Sequence, residues 1–295
     1  MQFQILDTEP TYRRLLAATD AAARATIFRE ELATPFAGLA QRFGQSDPVA
    51  AFAQWGMAPE QFAPARHAAQ AARLDALAAA DAWTRAAQAL EDGRAAFTRH
   101  DIAVPLDAVR FALLLADLPD SPGIGGYTGF GGIPGWIMTI YGTPTAANLA
   151  RVEAVTVHEL HHNLRAALFP ERPMIASLGA YMVGEGLAEA FAAELYGPEA
   201  IGPWVTAFDE AQLEPTRAII HTMLAASDFN TVRRYIFGGE LHSDANGATF
   251  PIPPLAGYAL GYKLVTAYLG RTGRSVVEAS LVPPEELIAE SQFFS

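Results

Sequence analysis

The 295-residue chain contains no cysteine, which removes disulfide scaffolds, thiol nucleophiles and cysteine-ligated zinc or iron–sulfur sites. Any metal must be held by histidine and carboxylate. Basic charge is scarce as well: 20 Lys and Arg stand against 32 Asp and Glu, a formal net charge of −12. Such a balance argues against a surface built to neutralise phosphates or anionic lipid, so neither a nucleic-acid nor a membrane-surface role is expected. Long apolar runs are missing, because Arg, Asp and Glu interrupt the Ala-rich tracts every few residues, whereas a membrane-spanning helix needs about 20 apolar positions. Met1–Pro10 lacks the basic stretch and continuous apolar run of a secretory signal, and a cytoplasmic location is the expectation. What is plentiful is apolar material, 51% of the residues, enough to build one large core or two modest ones.

From about Thr11 to His100 the sequence is rich in Ala, Leu, Arg, Gln and Glu, with apolar residues recurring at helical spacing (Tyr12, Leu15, Leu16; Ile27, Phe28, Leu32). Breaks at Thr34-Pro35, Gly44 to Pro48, Gly56 to Pro59 and Gly93 divide it into helices of ordinary length. The texture changes at Asp101. Ile102 to Val104 and Val109 to Leu115 are short apolar runs bounded by Pro and Asp, the pattern of buried strands. Gly123 to Gly135 is Gly-dense and leads into the β-prone run Trp136 to Tyr141 rather than into a helix. It therefore reads as a loop or hairpin connection and not as a phosphate-binding fingerprint. Helices resume near Thr145 and continue to about Ala226, followed by a loop-rich interval over 238–254 and helices over 255–269 and 284–290. The expected architecture is α+β and mostly helical, with a helical N-terminal region over 1–100 and a second region over 101–295.

Within the second region, His158-Glu159-Leu160-His161-His162 forms an H-E-x-x-H pattern. On a helix, His158 and His162 stand one turn apart on one face and can converge on a single ion, while Glu159 is rotated by about 100°. That offset suits a general base acting on a water at the metal without ligating it. With 7 His and 32 acidic residues, about 0.02 such matches are expected by chance. The motif is also set among Ala154, Val155, Val157, Leu160 and Leu164, an apolar setting in which polar groups need partners.

Two histidines leave a zinc site incomplete, since a catalytic centre uses three protein ligands and an open position. The remaining histidines are His67, His100, His161, His221 and His242; carboxylates recur downstream in Gly184-Glu185-Gly186-Leu187-Ala188-Glu189. Glu185 and Glu189 are four apart and share a face, so that one could ligate while the other braces. His221 lies among Ile219, Ile220, Met223 and Leu224 and reads as structural, whereas His242 sits in a loop-rich stretch where function concentrates. His161 shares a face with the motif, but only the i+4 histidine completes it. Gly257-Tyr258 and Gly261-Tyr262 repeat at i, i+4, placing two phenols on one face beside small residues.

The pattern H-E-L-H-H followed by E-G-L-A-E resembles gluzincin-type zinc metallopeptidases. More narrowly, V-H-E-L-H-H-N-L-R, G-E-G-L-A-E and G-Y-A-L-G-Y resemble a bacterial family of predicted zinc-dependent proteases, long classed as a domain of unknown function, over about Val104 to Ser291. The resemblance implies a zincin-like core with a small sheet beside the motif helix. It implies one Zn2+ per chain held by His158, His162 and Glu185, Glu159 as the base, and Glu189 orienting a ligand histidine. It further implies a peptide or protein substrate bound along a sheet edge by main-chain hydrogen bonds, for which Trp136, Ile137, Met138, Thr139, Ile140 and Tyr141 are the candidate strand. Tyr258, Tyr262 and His242 are candidates for stabilising the oxyanion. Two alternatives stay open: a zinc hydrolase of a small non-peptide amide or ester, and a non-catalytic metal- or partner-binding protein.

Overall fold

A computed structural model describes residues 1–118, 125–171, 174–240 and 250–295. The protein is α+β and mostly helical, with one four-stranded sheet among the described residues. The chain gathers into two compact units, one of residues 1–91 and 106–159 and the other of 92–105 and 160–295. No helix among the described residues is long and apolar enough to cross a membrane.

The first unit is built on strands β1 (Gln2–Leu6), β2 (Ala108–Leu115), β3 (Tyr127–Ile133) and β4 (Trp136–Tyr141), in the spatial order β1-β2-β4-β3. β2 runs parallel to both β1 and β4, and β3 is antiparallel to β4. A parallel pair needs a long crossover, and the helices between β1 and β2 supply it. The run VRFALLL is continuously apolar towards its end because β2 is an inner strand, buried from Phe111 to Leu115. Helix α1 (Thr8–Ala17) is tied to the end of that strand: the Thr8 hydroxyl donates to the Leu113 carbonyl at 2.5 Å, and the Tyr12 phenol accepts from Leu115 N–H at 2.8 Å. Burial pushes the Tyr12 phenol far above its ordinary pKa, which leaves it a neutral hydrogen-bonding group.

Three sequence expectations are corrected here. β1 lies in a stretch, Gln2-Phe3-Gln4-Ile5-Leu6, too short and too exposed to carry a clear alternation, and it owes its strand form to the ladder with β2. Ile102 to Val104 is no strand: Ile102 N–H bonds to the Phe97 carbonyl and closes helix α2 (Ala82–Arg99), and Pro105 follows. The Gly-dense stretch is itself strand β3 from Tyr127 to Ile133, turned into β4 at Pro134-Gly135, where Gly135 has φ +92°. Residues 119–124 lie outside the described set.

Two long helices organise the second unit, α4 (Leu178–Tyr196) and α5 (Ala256–Thr272). Ser177 caps α4 by accepting from Ala180 N–H at 3.1 Å, and Gly197, with φ +89°, ends it. α4 is buried without a break from Tyr181 to Ala192 and apolar nearly all round, as a central helix must be. α4 and α5 cross at glycines: a Cβ on Gly186 would overlap the Gly261 carbonyl, and a Cβ on Gly261 would overlap the Met182 carbonyl. Their backbones therefore touch, a closeness no larger residue allows. Helix α6 (Pro284–Ser291) starts at the second proline of the Pro283-Pro284 pair, where the sequence indicates a helix.

Candidate metal centre

Helix α3 (Val152–Leu168) carries the H-E-x-x-H segment unbroken. It is buried from Val152 to Leu164 except at Glu153, so each polar side chain along it must be matched inside the protein. Some of them serve structure. Thr156 donates to the Val152 carbonyl at 2.7 Å, and Glu153 receives the Arg85 guanidinium in a two-pronged ion pair at 2.5 and 2.6 Å. His161 hydrogen-bonds through Nε2 to the Ser280 hydroxyl at 2.7 Å and packs against Phe97 and Phe191, so the central histidine of the three is held as a structural group.

His158 and His162 stand one turn apart on the same helix. With Glu185 of α4 they offer ligand atoms that all lie within 4.8 Å of one another, and each residue is 7% exposed or less. His162 Nε2 and Glu185 Oε2 are 3.4 Å apart. Two ligands about 2.0–2.1 Å from a tetrahedral zinc are separated by about 3.3 Å, so the pair fits one ion better than a charge-assisted hydrogen bond of about 2.7–2.9 Å. The donor set of two imidazoles and a carboxylate, with no thiolate in the chain, suits zinc in a three-ligand site.

Glu159 is placed by the first unit. Gly129 and Gly131 lie two apart on one face of β3; a Cβ on Gly129 would overlap the Glu159 carboxylate, and one on Gly131 would overlap the Glu159 main-chain carbonyl. The glycines thus let α3 press directly on the strand and seat the carboxylate against it. Their signal was present in the sequence as an i, i+2 spacing, masked by a Gly-dense composition that reads as a loop.

The position of β4 changes the reading of the sheet edge. β4 is hydrogen-bonded on one side to β2 and on the other to β3, and Ile137 to Tyr141 are buried. Trp136 to Tyr141 therefore cannot take an added strand. The borders of the sheet are β1 and β3, and β3 is the one against which Glu159 rests. The place of Trp136 to Tyr141 just before the motif helix made that run the candidate, yet its mostly apolar character fits the interior of the sheet.

The other candidate residues divide. Glu189, one turn beyond Glu185, accepts from Gly202 N–H at 3.0 Å and from the Trp204 indole at 2.6 Å, anchoring the segment after α4. Tyr258 stands in an aromatic group with Trp204 and Phe237, at ring separations of 6.2 and 5.8 Å. Tyr262 is half-buried, and burial together with the nearby Glu189 charge pushes its phenol pKa upward. His221 stacks on Phe294 at 5.3 Å. His242 lies outside the described residues.

Residues 82–289 match the family described as Predicted Zn-dependent protease (DUF2268). The chain belongs to this family. The matched span includes all of the ligand cluster, both glycines of β3 and the Gly186–Gly261 crossing. A relative in Bacillus subtilis (strain 168), the uncharacterized protein YjfC, is 36% identical over 197 residues, which are 67% of this chain and 66% of that protein. The chain thus spans just under two thirds of the length of the curated relative it matches. No solved structure matches the chain.

Proposed function

We propose that this protein is a zinc metallopeptidase that hydrolyses peptide bonds, with His158, His162 and Glu185 holding one zinc ion and Glu159 acting as general base. The observation that carries the reading is the pairing of a buried three-residue donor set with a carboxylate that is adjacent in sequence yet seated on a border strand of the sheet. A purely structural site would use a fourth protein ligand and would have no need of Glu159. When bound, zinc would supply Lewis-acid polarisation of a scissile carbonyl and a more acidic water.

The chain's own residues do the rest. The Glu159 carboxylate takes the proton of the attacking water and delivers it to the departing amine nitrogen, so that one group acts as base and then acid. An extended peptide adding to the sheet would run along the border strand β3, in place of the β4 segment that the sequence suggested. Tyr262 of α5 is the phenol we assign to the oxyanion, since it lies near enough to Glu189 of α4, one turn from Glu185, to feel that charge, and a phenol is a neutral hydrogen-bond donor at neutral pH. Glu189 steadies the α4 carboxylate one turn away by fixing the following segment. The protein works in the cytoplasm on this reading.

The test is Glu159→Gln, read by zinc content and by hydrolysis of casein or a peptide mixture. Zinc at one equivalent in both proteins, with turnover lost only in the variant, is the expected result. Absence of turnover by the zinc-loaded parent on every peptide and protein substrate would sink the reading in favour of a metal-binding protein.

A further inference from the structure

A cavity of about 510 Å³ within the second unit has His162 in its wall. Its wall runs from the ligand histidine and Gly184, the neighbour of Glu185, across Ala180 to Phe169, Leu224 and Ile288. Pockets that take small ligands measure about 300–1,000 Å³. Small residues line the helices there: at Gly179 even a methyl group would come within 2.8 Å of Ile288 Cδ1. Two charged residues border the space. The Arg165 guanidinium donates to the carbonyls of Ser280 and Val282, the latter at 3.0 Å, and lies 5.0 Å from the Phe169 ring, so its charge is anchored on backbone acceptors. Glu285, at the exposed start of α6, places negative charge at the rim.

We propose that this cavity is the specificity pocket of the enzyme and takes a large apolar side chain next to the bond that is cut. The proposal rests on the peptidase reading above. The cavity shares His162 with the candidate ligand set and reaches Gly184, the neighbour of Glu185, and on this proximity we place in it a side chain of the residue adjoining the bond that is cut. An apolar side chain entering loses only its contact with water, whereas a charged one would be desolvated against apolar walls.

The experiment maps cut sites by mass spectrometry after the zinc-loaded protein acts on an equimolar peptide library, for the parent and for Ala180→Trp, which fills the cavity. The parent should cut beside Leu, Met or Phe at least about ten-fold faster than beside Gly, Ala or Asp, the scale that burial of a few methylene groups provides. Ala180→Trp should keep its zinc and lose that preference; the same profile in both proteins overturns the pocket. Should Ala180→Trp not fold, Ile288→Ala widens the cavity instead and should shift cutting towards Trp, an unchanged profile again overturning it. Should the parent cut nothing, the peptidase reading falls by itself, and the pocket is then judged by titration with N-acetyl-phenylalaninamide and N-acetyl-alaninamide. Tighter binding of the phenylalanine derivative, abolished by filling the cavity, supports the pocket, and equal binding of the two overturns it.

Discussion

Helix α3 carries its share of the proposed site in five consecutive residues, whereas α4 contributes one candidate ligand, Glu185, from a helix packed backbone to backbone on α5. In α3 the spacing of two histidines on one helical face is a property of any α-helix and survives any packing. In α4 the carboxylate stands next to Gly186, where Gly186 and Gly261 bring two backbones into contact, a closeness that one added methyl group would prevent. On the proposed ligand set, local geometry supplies two of the ligands, while the third depends on the core. For the same reason the two helices should fail in different ways when altered.

The largest separation is expected at the ligands themselves. His162→Ala should lower zinc affinity by on the order of 10²-fold or more, beyond the 10–100-fold typical of losing an outer-sphere partner, with the fold kept; competition with a chromogenic chelator measures it. Glu185→Gln should weaken zinc binding in the same direction, and unchanged affinity would remove Glu185 from the ligand set. Next comes Gly186→Ala, which leaves every ligand in place yet forces α4 away from α5. A loss of about 1–3 kcal/mol in denaturant unfolding, accompanied by weaker zinc binding, would show that the crossing positions the ligand. If stability fell and zinc affinity did not, α4 would be no more dependent on packing than α3.

Gly129→Ala probes the seat of Glu159 on β3. Displacing that carboxylate by about 1 Å should reduce kcat by up to about 10²-fold with zinc content unchanged, a split that steady-state kinetics and metal analysis resolve together. The smallest effect lies far from the centre. The Arg66 guanidinium, bonded to Asp117 at 2.5 and 2.8 Å, holds that carboxyl below its ordinary pKa. A carboxyl depressed in the folded state stabilises the protein above its unfolded pKa of about 3.9, and the contribution is lost as pH falls through the folded value. Because the pair is partly exposed and screened by solvent, Arg66→Ala should cost only about 0.2–1 kcal/mol at neutral pH, fading as acid protonates Asp117, in urea melts followed against pH.

The legibility of the molecule follows the same division. The helical character of the first hundred residues, the inner strand β2, the motif on α3 and the start of α6 at Pro284 rest on periodicity and on residues with strong backbone preferences, and they stand in the structure; the break expected at Gly93 does not, since α2 runs through it from Ala82 to Arg99. The strand β1 and the border strand β3 were hidden, the first because five half-exposed residues carry little pattern, the second because glycine suggests loops. Assigning the edge to Trp136–Tyr141 failed for a reason of topology: strand order is set by long-range pairing, and an apolar strand is as consistent with the middle of a sheet as with its border.

Composition and helical pitch were enough to restrict the metal ligands to histidine and carboxylate, through the absence of cysteine, and to set the relative placement of His158, Glu159 and His162 along one helix. Packing decided that Glu185 lies beside the two histidines, that His161 is spent on Ser280, and that Glu159 rests on β3. The physical reason is one of range. A helix fixes neighbours three and four residues apart through its own hydrogen bonds, but contacts between distant segments are settled by which surfaces can approach, and here that was decided by side chains the glycines do not have.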